Sequence, residues 1–203
     1  ASGFVSKIIF LRKSFNHKPF RLLDIGAGNH SASKIKNVFP QCEYHGVDLE
    51  RDYNNSEDDF KLMSGFYEMD LTKLEMGTIP DNYFEGIWMV HVIEHLFNGD
   101  KVLEKLLTKL KKGGFIYIEY PGQKSTRLPS MHGTLNFKDD PTHVRVYSVD
   151  EISGILKANG FRIIRCGTRR NVWFILAMPL RLLITFLKGK KPEGNLFWDI
   201  LGF

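Results

Sequence analysis

The feature that most constrains the fold is an apolar run that ends in a glycine-rich turn. Leu22-Leu23-Asp24-Ile25 is followed at once by Gly26-Ala27-Gly28-Asn29-His30. The pattern predicts a buried strand that stops in a loop whose backbone approaches a ligand closely, because glycine permits both the dihedral angles and the approach. Asp48 ends a second strand-like run twenty residues after Gly28. A carboxylate there suits two ribose hydroxyls, so the two strands together predict a nucleoside-cofactor site.

Two details of the turn indicate which cofactor it suits. A dinucleotide fingerprint requires a third glycine, where this chain has Ser31. The turn also opens with Asp24, whose carboxylate is expected to repel a pyrophosphate and to attract a sulfonium or amino group. The passage resembles motif I of the class I S-adenosylmethionine-dependent methyltransferases, and the later motifs keep that family's order over residues 20–166.

The resemblance implies a fold, a cofactor and its contacts. Strands alternating with helices agree with an α/β fold, a Rossmann-like three-layer sandwich around a mostly parallel sheet. We expect one domain, 1–203, with its core at 20–167 and an apolar C-terminal helical segment at 171–203. The cofactor would be S-adenosylmethionine. The cofactor-binding residues that the resemblance implies are Asp24, Gly26, Ala27, Gly28, Asp48, Leu49, Asp70, Leu71, Val90 and His91.

Hydrophobic periodicity and breakers predict the elements. The predicted helices are 4–15, 31–39 with Ser31 as N-cap, 100–112 ended by Gly113-Gly114, and 150–159. The predicted strands are 20–25, 43–48, 66–70, 84–90, 115–120 and 161–166. Residues 50–64 are predicted to be irregular, and 121–147 a long loop that forms the lid and acceptor gate. Only 196–203 could supply the antiparallel seventh strand of this fold, so we expect a chain truncated before it.

The composition of the chain indicates a globular domain and argues against a disulfide-rich protein. With 43% hydrophobic and 25% charged residues, the chain is typical of a globular domain. Cys42 and Cys166 are its two cysteines, so no disulfide framework is predicted. The cysteines and the lack of a secretory signal favour the cytoplasm, with membrane association as an alternative. The net charge of +5 mildly favours anionic partners.

A second constellation follows the fourth predicted strand. His91, Glu94 and His95 are spaced to share one face of a helix. With His143 they form a credible metal set, and a divalent ion could lower the pKa of a substrate hydroxyl. The spacing is similar to Glu-x-x-Glu-His in the ubiquinone-pathway O-methyltransferases and the RNA 3′-terminal 2′-O-methyltransferases. Histidine in place of the first glutamate favours zinc, manganese or iron over magnesium.

The four residues of this predicted metal set can also be interpreted without a metal. Glu94 and His95 would then cap and brace a helix, while His91 lines the pocket and His143 lines it or acts as base. The predicted catalytic residues are His91, His143 and Glu94. A zinc peptidase, with His-x-x-Glu-His as an inverted zincin motif, is rejected because that motif belongs inside a long helix.

The segment 171–187 is strongly apolar, interrupted by Pro179 and Arg181 and flanked by cations. It is too short to span a bilayer. Three placements stay open: packing over the sheet, burial in a homodimer, or peripheral contact of 171–191 with an anionic membrane. Nucleic acid is not expected as a partner, because the chain lacks a basic stripe with interleaved aromatic residues.

These observations predict a methyltransferase that acts on an oxygen of a small polar, lipid-linked or glycan-type acceptor. Three alternatives remain open. They are an NAD-dependent oxidoreductase, an RNA 2′-O-methyltransferase with a metal at the reaction centre, and a non-catalytic relative that docks at membranes.

Overall fold

A five-stranded parallel sheet forms the centre of the first of two compact units. The computed structural model describes residues 2–168 and 170–201; the first unit ends at Glu119 and the second begins at Tyr120. The strands are β1 Phe20–Ile25, β2 Cys42–Asp48, β3 Gly65–Glu68, β4 Phe84–Val90 and β5 Leu110–Glu119. Every neighbouring pair is parallel, in the order β3-β2-β1-β4-β5. The predicted α/β class is confirmed.

Helices link these strands and provide the regular structure of the second unit. The first unit contains α1 Ser2–Phe15, α2 Ser31–Val38, α3 Glu57–Leu62 and α4 Gly99–Leu107. The second unit contains α5 Val149–Ala158, α6 Val172–Leu176, α7 Met178–Leu187 and α8 Trp198–Leu201.

Both faces of the sheet are covered, which explains its unbroken apolar strands. On one face, Leu22 and Trp88 pack in a cluster that includes Leu11 of α1 and Ile35 of α2. The β1-to-β2 and β4-to-β5 connections run in opposite directions along the sheet, so right-handed crossovers place α2 and α4 on opposite faces. The result is three layers. Its switch point lies between β1 and β4, where open α/β sheets bind ligands at the carboxyl ends of the strands.

Several predicted elements differ from the structure. The predicted helix 100–112 ends at Leu107, and Gly113-Gly114 lie inside β5. There Gly113 has φ 80° and the register against β4 shifts, a β-bulge that the glycines permit. Residues 57–62 form α3 rather than an irregular segment, because Ser56 and Asp59 make a reciprocal capping box. Ser31 does not cap α2; His30 stands at that position without a side-chain cap.

In the second unit, one predicted strand is wrong and the candidate seventh strand does not form in the described residues. Residues 161–166, all of them described, form no strand, and Ile164 is 73% exposed. Residues 194–197 form a 3-10 turn and 198–201 form α8, so the described part of 196–203 supplies no seventh strand. Positions 202 and 203 lie outside the described residues.

The predicted C-terminal apolar helix is two helices. Asn171 caps the start of α6, which ends at Leu176 with Ala177 as its C-cap. Pro179 stands in the first turn of α7, where a missing backbone N–H leaves no hydrogen bond unmade. Arg169, one of the cations before this segment, lies outside the described residues. Across 2–168 and 170–201, no helix combines the length and the apolar character that crossing a bilayer demands.

A buried polar triad fixes the turn after β1. The hydroxyl of Tyr44 on β2 donates to Asp24 Oδ2 at 2.5 Å and lies 2.7 Å from Ser31 Oγ at the start of α2. Asp24 is 3% exposed, which corrects the expectation that its charge faces a ligand. Burial raises the pKa of Asp24 to about 7, although hydrogen bonds from Tyr44 and Ser31 oppose the rise. Asp24 therefore acts on the turn through these bonds.

The raised pKa predicts a pH-dependent stability. The pKa of Asp24 in the folded chain exceeds its ordinary value of 3.8. The stability that this carboxyl adds to the folded state is therefore fully present at low pH and is lost as the pH rises toward about 7. Asp24→Asn, which cannot ionise, should therefore gain stability relative to the wild type between about pH 4 and about pH 7. Urea unfolding across this range measures the difference. Asp52→Asn, at an exposed acid, is the control; parallel curves for the wild type and Asp24→Asn would contradict the buried, protonated carboxyl.

Candidate active site

The glycine turn lies against both strands that flank β1. The backbone N–H groups of Gly26 and Ala27 donate to Val47 O at 2.8 and 3.0 Å. Gly26 has φ 77°, and a Cβ there would come within 2.5 Å of Val92 Cγ2. The turn therefore requires glycine, and the segment after β4 lies directly beside it.

A tyrosine that the sequence analysis missed closes the other side of the turn. A Cβ on Gly28 would lie 2.6 Å from the ring of Tyr53 and 2.8 Å from its carbonyl oxygen. Asn29 N also donates to Tyr53 O at 3.3 Å. Tyr53 is 53% exposed, so its ring borders both the turn and solvent. The sequence signal for this residue is that Tyr53 is an aromatic residue in the polar stretch between β2 and α3.

Asp48 and Leu49 stand together where β2 ends. Asp48 Oδ1 accepts a hydrogen bond from Leu49 N at 2.7 Å. Burial raises the pKa of Asp48, and backbone hydrogen bonds partly offset the rise. Leu49 is 62% exposed, an apolar side chain in solvent beside a hydrogen-bond acceptor. This pair offers what a nucleoside needs, an acceptor for ribose hydroxyls and an apolar surface for a base.

Asp70 caps a 3-10 turn just beyond β3. Its Oδ1 accepts from the backbone N of Thr72 at 2.9 Å and from that residue's hydroxyl at 2.6 Å. The Thr72 hydroxyl is the main cause of the lowered pKa of Asp70. Leu71 is 8% exposed and packs inward. Contact of Asp70 and Leu71 with an adenine stays a prediction.

The residues after β4 do not form the helix that their spacing predicts. His91 has φ 56°, a left-handed conformation that costs energy for a residue with a Cβ, and Ile93–His95 forms a single 3-10 turn. His91 and Glu94 are nevertheless in contact, since His91 Nδ1 lies 3.3 Å from Glu94 Oε1. Glu94 is 1% exposed, and its Oε2 has no hydrogen-bond partner.

Glu119, which the sequence analysis missed, is the second carboxylate at His91. It ends β5, and its Oε1 lies 3.6 Å from His91 Nε2 and 2.8 Å from Lys7 Nζ of α1. Tyr117 donates its hydroxyl to Glu119 Oε2 at 2.5 Å. His91 N donates to Glu119 O at 2.8 Å, so the left-handed turn is fixed to the end of β5. Only the pairing of β4 with β5 brings these distant positions together.

Of the two remaining predicted ligands, His95 ends the 3-10 turn Ile93–His95 and His143 lies in the second unit. His143 Nδ1 lies 2.7 Å from Phe137 O, and its Nε2 lies 3.8 Å from Asp140 Oδ2. A metal held by His91, Glu94, His95 and His143 therefore stays a prediction. The buried, unpartnered Glu94 Oε2 is the kind of oxygen that a cation would satisfy.

The predicted lid segment, 121–147, has internal order. It contains 3-10 turns at Gln123–Arg127 and Phe137–Asp139. Asp139 Oδ2 accepts from the backbone N of Met131, Leu135 and Asn136 at 3.1, 2.8 and 2.7 Å. Burial opposes the shift, but these bonds and one from Ser130 lower the pKa of Asp139 to about 2. One carboxylate thus organises the loop, whose role as an acceptor gate stays a prediction.

Comparison with known proteins shows the family to which the chain belongs. The model of the family described as "Methyltransferase domain" matches residues 4–165. An uncharacterized methyltransferase, YcgJ of Bacillus subtilis (strain 168), is 27% identical over 146 residues, which are 68% of this chain and 56% of that protein. The chain thus spans just over half the length of this curated relative.

Solved structures share the fold. A SAM-dependent methyltransferase from Archaeoglobus fulgidus has a TM-score of 0.58 at 26% identity, over 80% of this chain and 70% of that one. Phosphoethanolamine N-methyltransferase 2 of Haemonchus contortus, solved with S-adenosyl-L-methionine, has a TM-score of 0.64 at 23% identity, over 97% of this chain and 46% of that one. The Rossmann-like methyltransferase fold and the matched residues 4–165 agree, and the chain belongs to the methyltransferase-domain family.

Proposed function

We propose that this chain transfers the methyl group of S-adenosylmethionine to an oxygen of a small polar, lipid-linked or glycan-type acceptor. The observation that carries the proposal is His91, which Glu94 contacts at the carboxyl end of β4 and which directly precedes Val92, the residue beside Gly26 of the glycine turn. An acceptor hydroxyl must lose its proton during methyl transfer, and this imidazole stands where the fold presents its reaction centre.

The turn and the end of β2 fit the cofactor. Gly26 and Gly28 let the backbone approach the amino-acid part, with Ala27 between them. Asp48 would accept from the ribose hydroxyls, and the exposed Leu49 would face the adenine ring. Asp24 contributes by holding the turn through Tyr44. We also propose contacts from the ends of β3 and β4, at Asp70, Leu71, Val90 and His91.

S-adenosylmethionine supplies a methyl group that its sulfonium already activates. The protein's task is to align the acceptor and to take its proton. With the hydrogen of His91 on Nδ1, facing Glu94 Oε1, Nε2 would receive that proton as the acceptor oxygen bonds to the methyl carbon and the carbon–sulfur bond breaks. The imidazolium so formed would lie 3.3 Å from Glu94 Oε1 and 3.6 Å from Glu119 Oε1.

Cofactor binding is tested by calorimetry with S-adenosylhomocysteine. The wild type should bind it and should not bind NAD, which the oxidoreductase alternative requires. Asp48→Asn should bind S-adenosylhomocysteine about tenfold more weakly, because a charged acceptor for two hydroxyls is lost. Asp52→Asn, at an exposed acid four residues on, should bind as the wild type does. Heat with NAD alone would select the oxidoreductase, and no heat with either would select a non-catalytic relative.

Catalysis is tested with a labelled methyl donor and a panel of hydroxyl, amine and RNA acceptors. His91→Asn should lower the rate of methyl transfer about 10²- to 10⁴-fold and leave S-adenosylhomocysteine binding within a few fold. Glu94→Gln should retain part of the rate with an altered pH profile, because it acts through His91. His17→Asn, at an exposed histidine, is the matched control. A wild-type rate in His91→Asn would contradict the assignment of the base.

A divalent metal at His91, Glu94, His95 and His143 is a separate, second proposal. The buried Glu94 Oε2 without a hydrogen-bond partner supports it. Elemental analysis of untagged protein should find a stoichiometric zinc, manganese or iron that is lost in His91→Ala. The absence of any ion from both proteins would contradict the metal and leave His91 as the base without one.

A further inference from the structure

The helices α6 and α7 present apolar side chains to solvent. The side chains at positions 180, 183, 184 and 187 follow the spacing of a single helix face. Their exposed fractions are 58% for Leu180, 54% for Leu183, 41% for Ile184 and 77% for Leu187. The face of α6 adds Val172 at 63%, Trp173 at 80% and Leu176 at 67%. We call these seven residues the apolar face.

The two helices are held so that this face stays outward. Met178 is 6% exposed and anchors the start of α7. The guanidinium of Arg181 lies 4.9 Å from the ring centroid of Phe174, which joins α7 to α6. Asn171 Oδ1 accepts from the backbone N of Trp173 and Phe174, so α6 begins at a defined point. The apolar face is therefore the exposed side of an ordered pair of helices.

Along the sequence, the segment that contains the apolar face carries charge of one sign. Between Glu151 and Glu193 the sequence contains no acidic residue and nine basic ones: Lys157, Arg162, Arg165, Arg169, Arg170, Arg181, Lys188, Lys190 and Lys191. Arg170, just before α6, and Lys188, Lys190 and Lys191, just after α7, are exposed. Cations at both ends of an apolar helical face complement an anionic surface with an apolar interior.

We propose that the apolar face docks on anionic membranes, with its side chains at the boundary between headgroups and acyl chains. Leu, Ile and Trp side chains are those that enter this boundary, and basic flanks add electrostatic attraction to the headgroups. The proposed contact is peripheral, made by side chains of two short helices at the membrane surface. The inference goes beyond the proposed reaction, and its test requires no turnover, so failure of one is distinguishable from failure of the other.

Flotation with vesicles tests the proposal. The full chain should float with vesicles of phosphatidylcholine and phosphatidylglycerol, float less with phosphatidylcholine alone, and detach as salt is raised. Leu183→Glu should weaken binding about tenfold or more, because it places a charge where an apolar side chain enters the acyl boundary. Ile164→Glu, at a 73% exposed apolar side chain outside the face, should bind as the wild type does.

Tryptophan fluorescence and charge reversal supply independent readouts. Of the three tryptophans, Trp173 is 80% exposed, Trp88 is 4% exposed and Trp198 is half-buried, so vesicles should shift the emission of Trp173 to the blue, and the shift should be lost in Trp173→Phe but kept in Trp198→Phe. The double variant Lys190→Glu/Lys191→Glu should lose the preference for anionic vesicles, whereas Lys157→Glu, exposed on α5, should keep it.

Three results would overturn the proposal. They are no flotation with either vesicle, equal flotation of the wild type and Leu183→Glu, and binding that neither salt nor lipid charge alters. A concentration-dependent dimer in light scattering that Leu183→Glu dissociates, without vesicle binding, would assign the apolar face to a second copy of the chain. Circular dichroism of Leu183→Glu verifies that the variant folds.

Discussion

The hydrogen bond from Tyr44 to the buried carboxyl of Asp24 is the interaction on which the rest of the first unit depends. It joins the end of β1 to β2, and the bond between Tyr44 and Ser31 extends it to the start of α2. A buried polar group left without its partner costs about 1–3 kcal/mol, so the loss of one member destabilises the others. The glycine turn, and with it the proposed cofactor site, is built on this triad.

The sequence predicts the sheet well and the short elements poorly. β1 and β4 begin and end at the predicted residues, because strands buried on both faces are continuous apolar runs. α3 was not predicted because the signal for this helix is a capping box in a polar segment, and the segment lacks apolar residues at helical spacing. The predicted strand at 161–166 has an apolar pattern but no partner strand in the described residues, and pairing, not propensity, makes a strand.

At the candidate site, residue types were predictable and geometry was not. His91 and Glu94 were singled out by spacing on a presumed helix, yet they meet because His91 adopts a left-handed turn. Glu119 has no local signal, since only the register of β4 with β5 brings it to His91. The sequence motif therefore predicted which residue types stand at this site, and the parallel sheet determined which of them are neighbours.

A crystal structure of the chain with S-adenosylhomocysteine tests the central claim most directly. The account predicts density along Gly26 and Gly28, with both ribose hydroxyls within hydrogen-bond distance of Asp48 and the thioether sulfur facing His91. A ligand bound away from the glycine turn, or one whose sulfur lies remote from His91, would contradict it.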